Sequence, residues 1–306
     1  MRIGATRPGS RGMALVQALV LVAALAAVAA ALLLRAETAR ERLQVRFQAD
    51  QAALYLDSGT AQLQVLLGDA RMATLTHRGQ QWAEERDDVR VADALVSWQI
   101  DDLQGRFNVN TLNGTEDMHR AARAAFVRLA HGQGLSRAAT GRMADALGAD
   151  AALRASAVTG VPLVLPLVHP VQLAPLAGPE VEAFARLLPL LSALSVPTAI
   201  NINTVHDEVL LALVPSLTAA TVQQMQRRLR RAPVENIDGF SDWALDLIGD
   251  DALAALLRIG ITTSSRSFQA RLAVQLDSLR LRRSVVLTRD GAQGRSRVTL
   301  TLPEPE

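Results

Sequence analysis

The residues able to do chemistry are few and scattered. Five histidines, His77, His119, His131, His169 and His206, have no neighbours at metal-ligand spacing. His119 and His131 are twelve residues apart, and His206 adjoins Asp207, so the two point in different directions on a helix. Cysteine is absent, which removes thiol nucleophiles, zinc–thiolate sites and a disulfide framework. The acidic pairs Asp87-Asp88, Asp101-Asp102 and Asp250-Asp251 stand near turns, where aspartate bonds local backbone. No serine occupies a nucleophile elbow, and neither a P-loop nor a dinucleotide fingerprint occurs. The chain therefore reads as a non-enzyme without metal or cofactor.

Nucleic-acid binding is the rival chemistry. Residues 202–231 have the pattern of two helices joined by the turn Val214-Pro215-Ser216-Leu217, followed by Arg227, Arg228, Arg230 and Arg231. A phosphate-binding hairpin presents backbone N–H groups from a glycine-rich turn. This turn has no glycine, and its proline lacks an N–H. Arginines at a helix C-terminus are also favoured by the helix dipole. All 32 basic residues are arginine, but 30 acidic residues leave a formal charge of only +2, so no polyanionic partner is called for. The elements Asn201-Ile202-Asn203-Thr204 can tie a loop to the following helix through side-chain amides alone.

What must position the chain begins at its N-terminus. Arg2, Arg7 and Arg11 precede 22 uncharged residues, 13–34, with 49% of the whole chain hydrophobic. As a helix this span is about 33 Å long, matching a bilayer core of roughly 30 Å. It contains no proline or glycine, so its backbone can pair internally in lipid. The three leading arginines place the N-terminus in the cytoplasm and the remainder across the membrane. A signal peptide would have a shorter apolar core; Ala27-Val28-Ala29 imitates its cleavage site, but the apolar run continues beyond.

The sequence around the junction, RGMALVQALVLV, places Gly12 at the cytoplasmic end of the span behind a basic leader. It resembles the leader of type IV pilins and type II secretion pseudopilins. The resemblance implies that a prepilin peptidase cuts after Gly12 and that Met13 becomes a methylated amino terminus. Most members carry glutamate at the fifth mature position, where this chain has Gln17. That departure is similar to the GspK type of minor pseudopilin, and implies a subunit without an acidic partner for a neighbouring amino terminus inside lipid.

Beyond the span, Leu43, Phe47 and Leu54 at helical spacing predict that the helix continues. Alternation predicts strands through Val96, Trp98 and Ile100, and again at 106–110. A second strand block follows at 268–276, 279–287 and 298–302, with a turn at Asp290-Gly291. Between the blocks an Ala/Leu-rich region predicts helices at 116–130, 136–147, 179–194, 204–213, 218–231 and 240–257. Thr115 and Thr204 are the expected N-caps, with Asp207 supporting the second. Gly132-Gln133-Gly134 reads as a helix end, and 159–175, with four prolines, as an apolar loop or linker.

The expected fold class is α+β, a small antiparallel sheet domain interrupted by a large helical insertion. Four patches again resemble the GspK type: 102–113 (DLQGRFNVNTLN), 169–194, 199–213 (AININTVHDEVLLAL) and 264–276. The family's acidic calcium-binding stretch is not matched: its interval offers Asp145 and Asp150 followed by apolar 161–166, too few carboxylates for six to eight oxygen ligands. The expected organisation is leader 1–12, transmembrane helix 13–34, first part of the pilin-like domain 35–113, helical insertion 114–262 and completing strands 263–306. The resemblance implies a subunit of the bacterial inner membrane that caps a type II secretion pseudopilus. Its implied partners are other minor pseudopilins and the prepilin peptidase, with secretion substrates and the outer-membrane secretin beyond. A minor pilin of a related type IV pilus and a membrane-anchored helix-hairpin-helix DNA-binding module are the alternatives.

Overall fold

The computed structural model describes residues 10–69, 71–113, 116–147, 166–196, 198–290 and 294–303. Helix α1, Ser10–Leu67, runs for 58 residues, about 87 Å at 1.5 Å per residue. It stays unbroken because no proline or glycine interrupts 13–58. The segment Leu15–Leu34 is exposed and uncharged around its whole circumference, with Gln17 its one amide side chain, and is long and apolar enough to cross a membrane. The C-terminal part is amphipathic. Ala52, Leu56, Leu63 and Leu67 recur at i, i+4, i+11 and i+15 and bury against a sheet. Gly59 brings α1 close to that sheet, since a Cβ there would lie 2.9 Å from Leu272 Cδ2.

After the short helix α2, Arg71–Thr74, the chain forms β1, Arg86–Val91, and β2, Ala94–Asp102. It leaves the sheet at Asp102 and returns with β7, Ser267–Leu276, β8, Leu279–Asp290, and β9, Arg295–Pro303. The order is β1-β2-β7-β8-β9, antiparallel throughout, with Asp102 opposite Phe268 and Ser267 opposite Thr288. Strict alternation in β7 places Phe268, Ala270, Leu272 and Val274 against α1. Trp82 closes this core edge-on to Phe268, ring centroids 5.3 Å apart. The fold is therefore α+β, with strands from both ends of the chain completing one sheet on the long helix. The strand β1 has no counterpart in the sequence pattern. Its residues RDDVRV are nearly all exposed, so no apolar alternation marks it.

Between β2 and β7 a second hydrophobic core forms around Phe126, Met143, Leu187, Ile202, Leu210, Met225 and Phe240. Phe107, Val109 and Leu112 belong to it. Its elements are β3, Phe107–Asn108; α3, Glu116–Gly132; α4, Arg137–Leu147; α5, Ala174–Ala177; α6, Val181–Leu187; and β4, Leu191–Ser192. They are followed by β5, Ile200–Asn201; α7, Asp207–Leu213; α8, Ala219–Arg231; α9, Ile237–Ile248; α10, Asp250–Ile259; and β6, Ile261–Thr262. Short parallel pairings, β3 with β4 and β5 with β6, tie this region together.

Several boundaries differ from expectation for identifiable reasons. The strand at 106–110 shrinks to Phe107–Asn108, because the asparagine side chains fold the backbone into tight turns. The helix at 179–194 stops at Leu187, continues as a 3-10 turn holding Pro189, and ends as β4. The helix at 240–257 is two helices, broken at Gly249, whose φ of +79° suits glycine. The proline-rich stretch is not all loop: His169 caps a 3-10 turn, Pro170–Leu173, which leads into α5. Its residues 159–165, the Thr115 cap, Gly291 and Asp150 lie outside the described residues. Gly134, with φ of +92°, follows the end of α3 as expected.

Candidate functional site

The polar groups of greatest density meet where the sheet gives way to the helical region. Asp102, the last residue of β2, is buried and accepts four hydrogen bonds. Oδ1 receives Gln104 N at 2.8 Å, which closes the 3-10 turn Leu103–Gly105. Oδ2 receives Thr204 Oγ1 at 2.5 Å, Ser265 Oγ at 2.5 Å and Asn201 Nδ2 at 3.1 Å. Asn201 Nδ2 also donates to Thr76 O at 3.0 Å, and Ser265 N to Thr76 Oγ1 at 3.0 Å. The carboxylate thus gathers donors from its own turn, from the Asn201–Thr204 stretch and from Ser265, while Thr76 is tied in through Asn201 and Ser265. Burial pushes its pKa up, against the hydroxyl and amide donors that favour the charged form.

The two asparagine-rich motifs do matching work on either side. Asn108 Oδ1 accepts from Leu194 N at 3.0 Å and Asn110 N at 3.1 Å, while Asn110 Nδ2 donates to Leu194 O at 3.0 Å. Asn203 pairs both ways with the backbone of Val234, each bond 2.8 Å. Amides suit this task because each supplies a donor and an acceptor in one plane. Backbone approach is close as well. A Cβ on Gly105 would lie 2.5 Å from Thr204 O, and Gly105 O accepts from His206 N at 3.1 Å.

Charged groups surround this seam. Arg106 is buried, paired with Asp101 at 2.9 Å and donating to Gln269 Oε1 at 2.9 Å. Asp101 also binds Arg271 at 2.8 Å. Arg78 donates to Thr204 O at 2.7 Å. His206 is held neutral: burial, with Arg78 and Arg106 nearby, lowers its pKa to about 4.

This chemistry fastens elements together and has no reactive geometry. Thr204 and Ser265 donate straight to a carboxylate with no imidazole between, and both hydroxyls are buried. Among the described residues no three His, Asp or Glu side chains gather as a metal site. Asp145, the one acid of the calcium interval among the described residues, pairs with Arg123 at 2.5 Å.

Sequence pattern did not assemble the seam. Asp101-Asp102 reads as a strand break, and Thr204 as an N-cap. In fact α7 begins at Asp207, and the Thr204 hydroxyl is turned to Asp102 instead. The tie between Asn203 and its loop was legible from side-chain type, whereas Thr76 and Ser265 carry no local signal at all.

Gly12, Met13 and Gln17 lie in the first turns of α1, where Met13 and Gln17 are exposed and remote from the seam in the chain. The helical hairpin α7–α8 forms as expected, with Thr218 capping α8 through its Oγ1 to Thr221 N at 3.2 Å. Its turn is ill suited to phosphate: Leu217 N donates to Val214 O, Pro215 has no N–H, and Val214 and Leu217 are buried.

No protein-family model matches this chain, and no curated protein does. Among solved structures, it is similar to a chain in the crystal structure of the GspK-GspI-GspJ complex from the type 2 secretion system of enterotoxigenic Escherichia coli. The TM-score is 0.68 at 19% sequence identity, covering 87% of this chain and 100% of that one. At that identity the likeness carries the fold: a long apolar N-terminal helix, an antiparallel sheet packed on it, and an additional helical region.

Proposed function

We propose that this chain is a minor pseudopilin of the GspK type, which caps a type II secretion pseudopilus and helps start its assembly. The carrying observation is the architecture of one helix with two uses. Its N-terminal half is apolar and bare, while its C-terminal half lies under a sheet interrupted between β2 and β7 by a helical region. The similarity to a chain of a minor-pseudopilin complex supports the same reading. In this proposal 1–12 is a leader cut after Gly12, 13–34 anchors the mature chain in the inner membrane, and 114–262 is the insertion. Neutral Gln17 leaves the subunit without an acidic partner for a further amino terminus, which suits the end of a filament. Its partners are other minor pseudopilins. The nucleic-acid alternative is disfavoured by the buried, proline-containing hairpin turn and by the acidic residues that face its arginines.

Co-expression with a prepilin peptidase, followed by intact mass and N-terminal sequencing, tests the proposal. A mature chain that begins at a methylated Met13 is expected. A chain that stays uncut, or is cut near Ala29, contradicts it.

A further inference from the structure

Helices α8 and α9 leave a cleft of ≈ 730 Å³ between them, within the size range of ligand and peptide pockets. One wall is Gln224, Arg227, Arg228 and Arg231; the other is Gly239, Asp242, Trp243 and Asp246. Each set is spaced i, i+3, i+4, i+7, so each is a single ridge along its helix. The Arg228 guanidinium lies 4.5 Å from the Trp243 ring centroid, and Phe240 supports that indole edge-on at 5.2 Å. A basic ridge and an acidic ridge therefore face one another, yet among the described residues no ion pair joins them. Arg227, Arg231, Asp242 and Asp246 are all exposed, and their charges remain available to an occupant.

The charge layout selects the occupant. A nucleic-acid backbone or an acidic tail would gain at Arg227 and Arg231 and be repelled at Asp242 and Asp246. An extended polypeptide sends successive side chains to opposite sides, repeating on each side about every 6.6 Å. Along a helix, residues four apart rise about 6 Å, which is the separation within the Arg227/Arg231 and Asp242/Asp246 pairs. The two periods agree over this short length. We propose that the cleft docks an extended segment of another protein in which acidic and basic side chains alternate. The acidic set meets Arg227 and Arg231, the basic set meets Asp242 and Asp246, and the Arg228–Trp243 stack forms the floor. This inference does not depend on the position of the chain in a filament.

The test uses the full chain in mild detergent and a fluorescent peptide of about ten residues with alternating glutamate and arginine, about 33 Å when extended and so longer than the walls of roughly 11 Å. Fluorescence anisotropy compares it with a block peptide of the same composition, with polyglutamate and with single-stranded DNA. The alternating peptide is expected to bind tightest, and more weakly as salt rises. Arg227→Glu with Arg231→Glu should weaken it about tenfold or more. Adding Asp242→Arg and Asp246→Arg should restore binding, because an alternating segment refits exchanged walls after a shift of one residue. Absence of binding at millimolar protein, equal binding of the block peptide, tighter binding of DNA or polyglutamate, or indifference to the first charge reversal would each overturn the proposal. All four substituted positions are exposed, so loss of folding is not expected, and unchanged thermal unfolding checks this.

Discussion

Thr204 Oγ1 donates to Asp102 Oδ2 across 2.5 Å of space and 102 residues of sequence. That bond joins the last residue of a sheet strand to the loop opening α7, and three further donors reinforce it. Asp102→Ala would leave Gln104 N, Asn201 Nδ2, Thr204 Oγ1 and Ser265 Oγ without their shared acceptor. Removing the carboxylate leaves neutral donors rather than a stranded charge, and each buried donor left unsatisfied costs about 1–3 kcal/mol. Thermal or denaturant unfolding, followed by tryptophan fluorescence, should show that loss; a change below about 1 kcal/mol would mean that the cluster carries little of the stability.

Gly105 supplies a second, steric prediction at the same place. Gly105→Ala forces a Cβ to within 2.5 Å of Thr204 O and 2.9 Å of its carbonyl carbon, both backbone atoms unable to swing aside. Overpacking of this kind costs about 1–3 kcal/mol. A lowered unfolding midpoint is expected for Gly105→Ala and not for Gly132→Ala, where a Cβ meets nothing within 4 Å.

His206 gives the seam a pH dependence. Its folded pKa, about 4, lies below the ordinary histidine value of 6.5, so the unfolded chain binds more protons between those values. Stability from this group is fully present above pH 6.5 and is lost as pH falls toward 4, up to about 3 kcal/mol at 1.36 kcal/mol per unit. Asp102 acts in the opposite sense, since its raised pKa favours the folded state in acid. His206→Asn, which also suits an N-cap, should flatten the slope of stability between those pH values. An unchanged slope would assign the acid sensitivity elsewhere.

Much of this architecture was legible because it depends on periodicity. The strands at 268–276 and 279–287 alternate in sequence as they do in space, and the uninterrupted run at 13–34 could only be helix. The seam was not legible, because its members come from β2, the Thr76 loop, the Asn201 motif and the approach to β7. Nothing local in a threonine reports a carboxylate brought to it from 102 residues away. Strand β1 was hidden for another reason: it is an exposed edge, where charge replaces the apolar alternation by which strands are recognised.

The stripe Leu43, Phe47 and Leu54 offers a prediction that separates folding from assembly. These residues, with Val65, lie within about 40° of one another around α1, at 100° per residue. They are 65–71% exposed, on the side away from the Ala52 and Leu56 contact with the sheet. Phe47→Glu should change stability by less than about 0.5 kcal/mol. Under the pseudopilin proposal it should sharply reduce co-purification with other minor pseudopilins. Retained co-purification would place the subunit contact on another face.

Gly12 provides the last prediction. Gly12→Val should block cleavage by the prepilin peptidase, and the precursor should accumulate at full mass. Efficient processing of this variant would remove the leader assignment while leaving the fold untouched.

Between the apolar span and the sheet, α1 is bare. Arg35 through Phe47 are all exposed, and the first side-chain tie to the sheet domain is Gln48 to Asp277 at 3.0 Å. Thirteen helical residues make a stiff spar of about 20 Å. Such a spar works as a lever: a tilt of about 20°, ordinary for a helix in a bilayer, would carry the whole folded head sideways by roughly 7 Å without bending a single bond. Under the pseudopilin proposal, local membrane thickness and helix tilt thereby become steering inputs for where the head meets its neighbours.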